Sequence, residues 1–279
     1  MKDLIKKATQ YLQESAIHEP RLQAEEILAS VLGIPRLNLN LYFDRPLTEA
    51  EKATFKRRLL LRSLRLPIQR IENSVSFYGI DIHLTDDVLI PRQETEILAD
   101  KIASCLKDQP LDDKEFWDVC TGSGCLGLSI KNRFPGLNVT LSDLSERALD
   151  QAKQNAKING LSVNFLEGDM LAPFLGKKAD FIVCNPPYIS SDEYKSLDPE
   201  VRLFDPKSAL VSGSTGLECY MTLREQLPLV LNPSGKVFLE IGWNQGEALV
   251  ELFSAPFWKT KRVIKDWSSH DRFFFLEIE

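Results

Sequence analysis

From about residue 94 onward the chain alternates short runs rich in β-branched and aromatic residues with longer stretches of helical periodicity. This rhythm restricts the possible folds more than any other feature. Strands are expected at 116–120, 139–142, 163–166, 179–184 and 237–241, with helices at 125–134, 145–159 and 216–231. Strands joined through a helix return parallel, because the crossover carries the chain back to its starting edge. The pattern implies an α/β fold on a doubly wound, Rossmann-like, mostly parallel sheet. Two last strands, at 262–267 and 272–278, follow each other too closely for a crossover and should form a C-terminal antiparallel hairpin. Ligands of such sheets bind beyond the carboxyl ends of the strands, so the residues just after each strand matter most.

The first third reads differently. Leu4, Ile5, Ala8, Tyr11 and Leu12 recur at helical spacing, as do Leu22, Ile27, Leu28, Val31 and Leu32 behind Pro20; Gly33 and Pro35 stop this second helix. Thr48-Glu-Ala-Glu51 is a capping box that opens a third helix, expected to run to Leu66 before Pro67. Three such stripes have only one another to pack against, which gives a small helical bundle over residues 1–74. Residues 75–90 alternate around Gly79 and read as a β-hairpin linker, leaving 91–279 for the α/β domain.

Composition narrows the function classes. With 43% apolar residues in 279, the chain can bury its cores without staples, and the five cysteines lack the paired spacing of a disulfide framework or a zinc site. No apolar run reaches membrane-spanning length and the N-terminus has no signal-peptide stretch, so a cytoplasmic protein without membrane association is expected. Charge divides unevenly, with a net +4 over residues 1–75 and −10 over the rest. An acidic larger domain argues against a nucleic-acid substrate, which calls for a basic face. The run Lys52, Lys56, Arg57, Arg58, Arg62, Arg65, Arg70 reads as a solvated helix face, with contact to an acidic or RNA-containing partner as the alternative.

After the first strand of the sheet comes Cys120-Thr-Gly-Ser-Gly124-Cys-Leu-Gly127, whose glycines let the backbone turn tightly and approach a ligand. Asp143, 21 residues after Gly122, ends the next strand, where a carboxylate can accept both hydroxyl hydrogens of a ribose. A nucleoside-containing cofactor follows, and NAD and S-adenosylmethionine both fit. Gly168-Asp169-Met170 follows the third strand; Asp169 could read an adenine edge and Met170 cover its ring, although a plain surface turn competes. Asn185-Pro-Pro-Tyr188 leaves the fourth strand, and its two prolines fix two φ angles and remove two donors. The result is a rigid rim of amide, carbonyl and aromatic groups suited to a planar NH₂: the Asn185 oxygen and the Pro186 carbonyl can accept its hydrogens, while Tyr188 stacks on or edges its plane.

The order of glycine loop, acid and Asn-Pro-Pro-Tyr resembles the class I S-adenosylmethionine-dependent methyltransferases that act on planar nitrogens. Asp87-Val-Leu-Ile-Pro-Arg-Gln-Glu-Thr-Glu96, Val201-Arg-Leu-Phe-Asp-Pro-Lys-Ser-Ala-Leu-Val211, Leu239-Glu-Ile-Gly242 with Gln245-Gly-Glu247, and Asp271-Arg272 narrow it further. Over residues 76–279 the chain is similar to the release factor glutamine methyltransferases. Two positions depart from that family's pattern: Cys120 stands where its loop begins with glycine, and Gln93 replaces a proline. Cys120 reads as a small apolar filler.

The resemblance implies transfer of a methyl group from S-adenosylmethionine, leaving S-adenosylhomocysteine, to the side-chain amide of the glutamine in the Gly-Gly-Gln motif of class 1 peptide chain release factors. No metal and no direct nucleic-acid binding are expected. Carried onto this chain, the cofactor residues are Cys120, Thr121, Gly122, Ser123, Gly124, Asp143, Asp169, Met170 and Asn185. Asn185, Pro186 and Tyr188 would be catalytic, and Asn185, Pro186, Pro187, Tyr188 and Arg202 would bind substrate. Arg202 would order the long 185–215 stretch through nearby carboxylates, and the helical bundle would dock the protein substrate. The same four-residue motif serves enzymes that methylate exocyclic amines of RNA or DNA bases; the acidic domain and the lack of a large added domain count against them. A cofactor-binding module without catalysis is the other alternative, opposed by the intact motif.

Overall fold

The computed structural model describes all 279 residues, which divide into two compact units. The first takes residues 1–73 and a short helix at 199–204; the second takes 74–198 and 205–279. No helix is long and apolar enough to cross a membrane.

In the first unit, α1 (Lys2–Glu14), α2 (Pro20–Leu32), α3 (Glu49–Ser63) and α4 (Ile68–Glu72) pack around Ile5, Leu12, Ala24, Ile27, Leu28 and Phe55. The capping box forms as expected. The Glu51 N–H donates to Thr48 Oγ1 at 3.2 Å, and the Thr48 N–H returns to the Glu51 carboxylate at 2.8 Å. Helix α3 stops three residues short of Leu66 because Arg65 turns left-handed, at φ 69°, ahead of Pro67. The basic run is not one solvated face. Arg58, Arg62 and Arg65 recur at i, i+4 and i+7 and turn inward, whereas Lys52, Lys56 and Arg57 are exposed. Arg62, only 2% exposed, donates to both Glu200 carboxylate oxygens at 2.6 and 2.7 Å; Glu200 lies on the short helix of this unit. Arg58 pairs with Glu72 at 2.6 Å, and Arg70 is buried.

The second unit opens with an antiparallel hairpin, β1 (Ser74–Phe77) and β2 (Ile80–His83). It then continues through α5 (Gln93–Leu106), β3 (Glu115–Val119), α6 (Cys125–Arg133), β4 (Asn138–Asp143), α7 (Glu146–Ile158), β5 (Asn164–Glu167) and β6 (Ala179–Cys184). The short helix of the first unit, α8 (Pro199–Phe204), precedes α9 (Glu218–Val230), β7 (Leu231–Glu240), α10 (Gly246–Leu252), β8 (Trp258–Lys265) and β9 (Asp271–Ile278). Seven strands form one sheet in the order β5-β4-β3-β6-β7-β9-β8, parallel from β5 to β7, with the final hairpin antiparallel and β9 seated between β7 and β8.

Alternation along the strands sorts two cores. Phe116, Phe181, Val183 and Phe238 face one way with residues of α5, α6 and α7; Trp117, Ile182, Cys184, Val237 and Leu239 face the other with α9 and α10. Fully burying each such large side chain stabilises the fold by roughly 1.5–3 kcal/mol. Phe77, Ile80 and Ile82 of the hairpin belong to the first of these cores. Strand β7 starts six residues earlier than expected, since Asn232-Pro-Ser-Gly235 reads as a turn but is carried in the sheet beside a register shift against β6.

Candidate active site

Strands β3 and β6 are neighbours from which the chain departs in opposite directions, to β4 on one side and β7 on the other. The crevice beyond their carboxyl ends is the switch point of the sheet. A cavity of about 340 Å³ opens there. Its walls come from the 87–95 segment, the glycine loop, the end of β4, the turn after β5, the exit of β6 and residues 208–211.

The glycine loop is held in shape by its own chain. Cys120, Gly122 and Gly124 all take left-handed backbone, at φ 56°, 54° and 84°. Cys120 thus occupies a conformation in which glycine is at ease and an L side chain is strained, which accounts for the glycine usually found there in the family it resembles. Its sulfur lies 3.7 Å from Met170 Sδ, and Met170 is itself left-handed at φ 49°. A Cβ at Gly127 would come within 2.9 Å of Asp118, so α6 rests directly on β3. Asp118 Oδ2 accepts from the Thr121 hydroxyl at 2.6 Å and from the Gly127 N–H at 2.8 Å. Burial pushes this carboxyl up to about 7 against those two bonds.

Asp143 is aimed by backbone. Its Oδ2 accepts from the Gly122 N–H at 2.9 Å and its Oδ1 from the Ser145 N–H at 2.9 Å. Burial raises its pKa despite these bonds. Each oxygen keeps acceptor capacity for a further hydrogen, the chemistry that a vicinal diol requires.

Thr121, Ser123, Asp169, Asn185 and Pro187 line the cavity together with Cys120, Gly122, Asp143 and Met170. Gly124, Pro186, Tyr188 and Arg202 are not among the lining residues. Gly124 caps α6, and Pro186 is buried. Tyr188 turns its hydroxyl inward to Arg272, and burial holds that phenol well above its ordinary pKa. Arg202 is exposed on α8, in the first unit. An ion pair beside the cavity ties the loop after β6: Arg92, a lining residue, pairs with the wholly buried Asp205 carboxylate, which also accepts from the Ile90 N–H at 3.2 Å. Both partners stand in segments quoted above for their family resemblance, Pro91-Arg92 and Asp205-Pro206, but 113 positions apart. A strand-by-strand reading has no means of pairing them.

Sequence reasoning also missed what stands behind Asn185. The Thr95 hydroxyl, from α5, donates to Glu240 Oε2 at 2.8 Å, and Asn185 Nδ2 lies 3.5 Å from Thr95 Oγ1. Glu240 hydrogen-bonds Asn185 as well, and burial pushes its carboxyl up to about 7. Gln245 ties the rim from below, accepting from the Gly242 N–H at 2.8 Å and donating to the Tyr188 and Gly216 carbonyls at 2.9 and 3.1 Å. No group of three or more histidine, cysteine, aspartate or glutamate side chains is placed to hold a metal ion.

Two family descriptions match the chain: a PrmC N-terminal domain over residues 3–72 and a methyltransferase small domain over residues 93–204. A release factor glutamine methyltransferase of Chlamydia trachomatis is 42% identical over 277 residues, covering 99% of this chain and 94% of that protein. One of Bacillus subtilis is 38% identical over 97% of this chain and 95% of its own length. Among solved structures, a 16S rRNA N2 G1207 methyltransferase of T. thermophilus, in complex with AdoMet and guanosine, superposes with a TM-score of 0.56. It is 18% identical, over 74% of this chain and 50% of that one, which is a likeness of fold.

Proposed function

The chain belongs to the release factor glutamine methyltransferases, and on that premise we propose that it methylates the amide nitrogen of the glutamine in the Gly-Gly-Gln motif of class 1 peptide chain release factors. The observation that carries this reading is the position of Asn185, on the wall of the cavity that the glycine loop and Asp143 also line. Residues fit S-adenosylmethionine: Asp143 offers two backbone-aimed acceptors for a ribose, Asp169 an acceptor for an adenine amine, and Met170 with Cys120 an apolar wall. When bound there, that cofactor supplies an electrophilic methyl group on a sulfonium centre.

The chain's own part is placement. An amide nitrogen is a weak nucleophile because its lone pair is delocalised, and no side chain at neutral pH deprotonates it efficiently. Orientation of the reacting pair can supply roughly 7–11 kcal/mol of the barrier. Asn185 Oδ1 and the Pro186 carbonyl accept the two amide hydrogens, and those bonds strengthen as positive charge grows on the nitrogen, so they favour the transition state over the bound substrate. The rigid prolines 186 and 187 and the Gln245 ties keep the acceptors from relaxing. The proton leaves to water afterwards, and no metal enters this scheme. The helical first unit serves to dock the release factor. The test is transfer of labelled methyl to a purified factor and to its variant lacking the glutamine; equal labelling of both would place the acceptor elsewhere.

A further inference from the structure

An NH₂ group offers only hydrogens, so Asn185 must present its oxygen to the cavity and turn its own nitrogen away. The two ends of an asparagine amide are nearly the same shape, and something must choose between them. Behind Asn185 stand two groups that can only accept. Thr95 has given its single hydroxyl hydrogen to Glu240 at 2.8 Å, which leaves lone pairs facing Asn185 Nδ2 at 3.5 Å. The Glu240 carboxylate, 2% exposed at the end of β7, also hydrogen-bonds Asn185. Turned over, Asn185 would press its oxygen against a buried carboxylate and leave both acceptors unmet.

We propose that Glu240 and Thr95 are positioning residues that lock Asn185 with Oδ1 toward the cavity, and that the Glu240 charge strengthens this oxygen as an acceptor for the substrate nitrogen. The proposal rests on the glutamine-methylation reading above. Its logic fails once Glu240 carries a proton, because it then has a hydrogen of its own and either orientation of Asn185 is satisfied. The groups that face Glu240 are Glu94 and Thr95 of α5, Cys125 of α6, Asn185 and Tyr188 after β6, Tyr220 of α9 and Arg272 of β9. Burial raises its carboxyl to about 7, while Thr95, Arg272 and Asn185 pull the other way. A sulfonium cation in the cavity favours the carboxylate further, so the enzyme should be active above this range and lose rate as pH falls through or just below it.

The experiment compares wild type, Glu240→Gln, Thr95→Val and Thr95→Ser in methyl transfer to a release factor from about pH 5.5 to 8.5, with S-adenosylhomocysteine affinity by calorimetry. Glutamine at 240 satisfies either orientation of Asn185. We expect it to lower kcat roughly ten- to a hundredfold, the range for losing a hydrogen bond to a charged partner. Product affinity should stay within about twofold, and the acid limb should disappear. Thr95→Val should fall in the same way and Thr95→Ser recover. In the ligand-free protein, one ¹³C-glutamate carboxyl should titrate near pH 7 and be missing from Glu240→Gln. Wild-type kcat and an unchanged acid limb in Glu240→Gln would overturn the proposal, as would wild-type kcat in Thr95→Val. So would loss of product affinity in proportion to kcat. A wild-type enzyme inactive on the release factor, with the carboxyl titration intact, would overturn the functional reading and the proposal with it.

Discussion

Asp118→Asn separates the shape of the glycine loop from the charge beneath it. Both hydrogen bonds at this carboxyl, from the Thr121 hydroxyl and the Gly127 N–H, converge on Oδ2, so an asparagine with its oxygen there keeps both. What disappears is a buried negative charge. The folded protein holds this carboxyl at about 7, against an ordinary 3.8, chiefly because burial penalises the ion. Between those values the native state binds a proton that the unfolded chain has released. The contribution is therefore complete below about pH 4 and is lost as pH rises through 7. At about 1.4 kcal/mol per pH unit, the wild type should lose roughly 3 kcal/mol at this site between pH 5 and pH 8, whereas asparagine has no proton to lose. Urea unfolding of both proteins at both pH values measures the difference directly. We expect the variant to gain roughly 3 kcal/mol relative to wild type at the higher pH. Glu240 adds a slope of the same sign to both proteins and cancels in the comparison. Parallel stability curves would refute burial as the cause.

Five further substitutions, at four positions, test separate links. Cys120→Gly should fold within about 1 kcal/mol of wild type, because relief of the left-handed strain offsets the added freedom of the unfolded chain. Cys120→Val, β-branched in the same conformation, should be less stable than Cys120→Gly by about 2 kcal/mol; equal urea midpoints would contradict the backbone argument. Glu200→Ala leaves the buried Arg62 without its bidentate carboxylate and should cost about 3 kcal/mol in thermal unfolding of the first unit, where a change below about 1 kcal/mol would mean that Arg62 finds other partners. Asn185→Ala should lower methyl transfer far more than cofactor affinity by calorimetry, and Asp143→Ala the reverse. Equal losses in Asn185→Ala would make it a wall of the cofactor pocket rather than an acceptor for substrate.

Local chemistry made much of the fold legible. The capping box at Thr48, the stop at Gly33 and the strand–helix alternation beyond residue 94 are short-range signals, and each appears in the structure within a few residues of its expected place. The parallel sheet and its switch point followed from connection length alone, and they placed the glycine loop, Asp143 and Asn185 around one crevice. What was not legible depends on long-range partners. Arg62 looks like any surface arginine until α8 brings Glu200 to it. Arg92 and Asp205, or Thr95 and Glu240, are separated by more than a hundred residues, and composition does not reveal which buried carboxylate meets which donor. Helices α4, α5, α8 and α10 are not among the expected elements, three of them because they are short, and the expected β7 is clipped because Pro233 and Gly235 mimic a turn. Tyr188 belongs with these: its hydroxyl meets Arg272 from near the end of the chain, a contact that no local signal announces.

The most direct test of the central claim is to follow labelled methyl from S-adenosylmethionine into a purified release factor, the same factor with its Gly-Gly-Gln glutamine replaced, RNA and DNA, side by side. We expect label on the intact factor and on none of the others. Label on nucleic acid alone would contradict the assigned acceptor while leaving the pocket chemistry in place, and label on the glutamine-replaced factor would show that a different side chain is the one Asn185 receives.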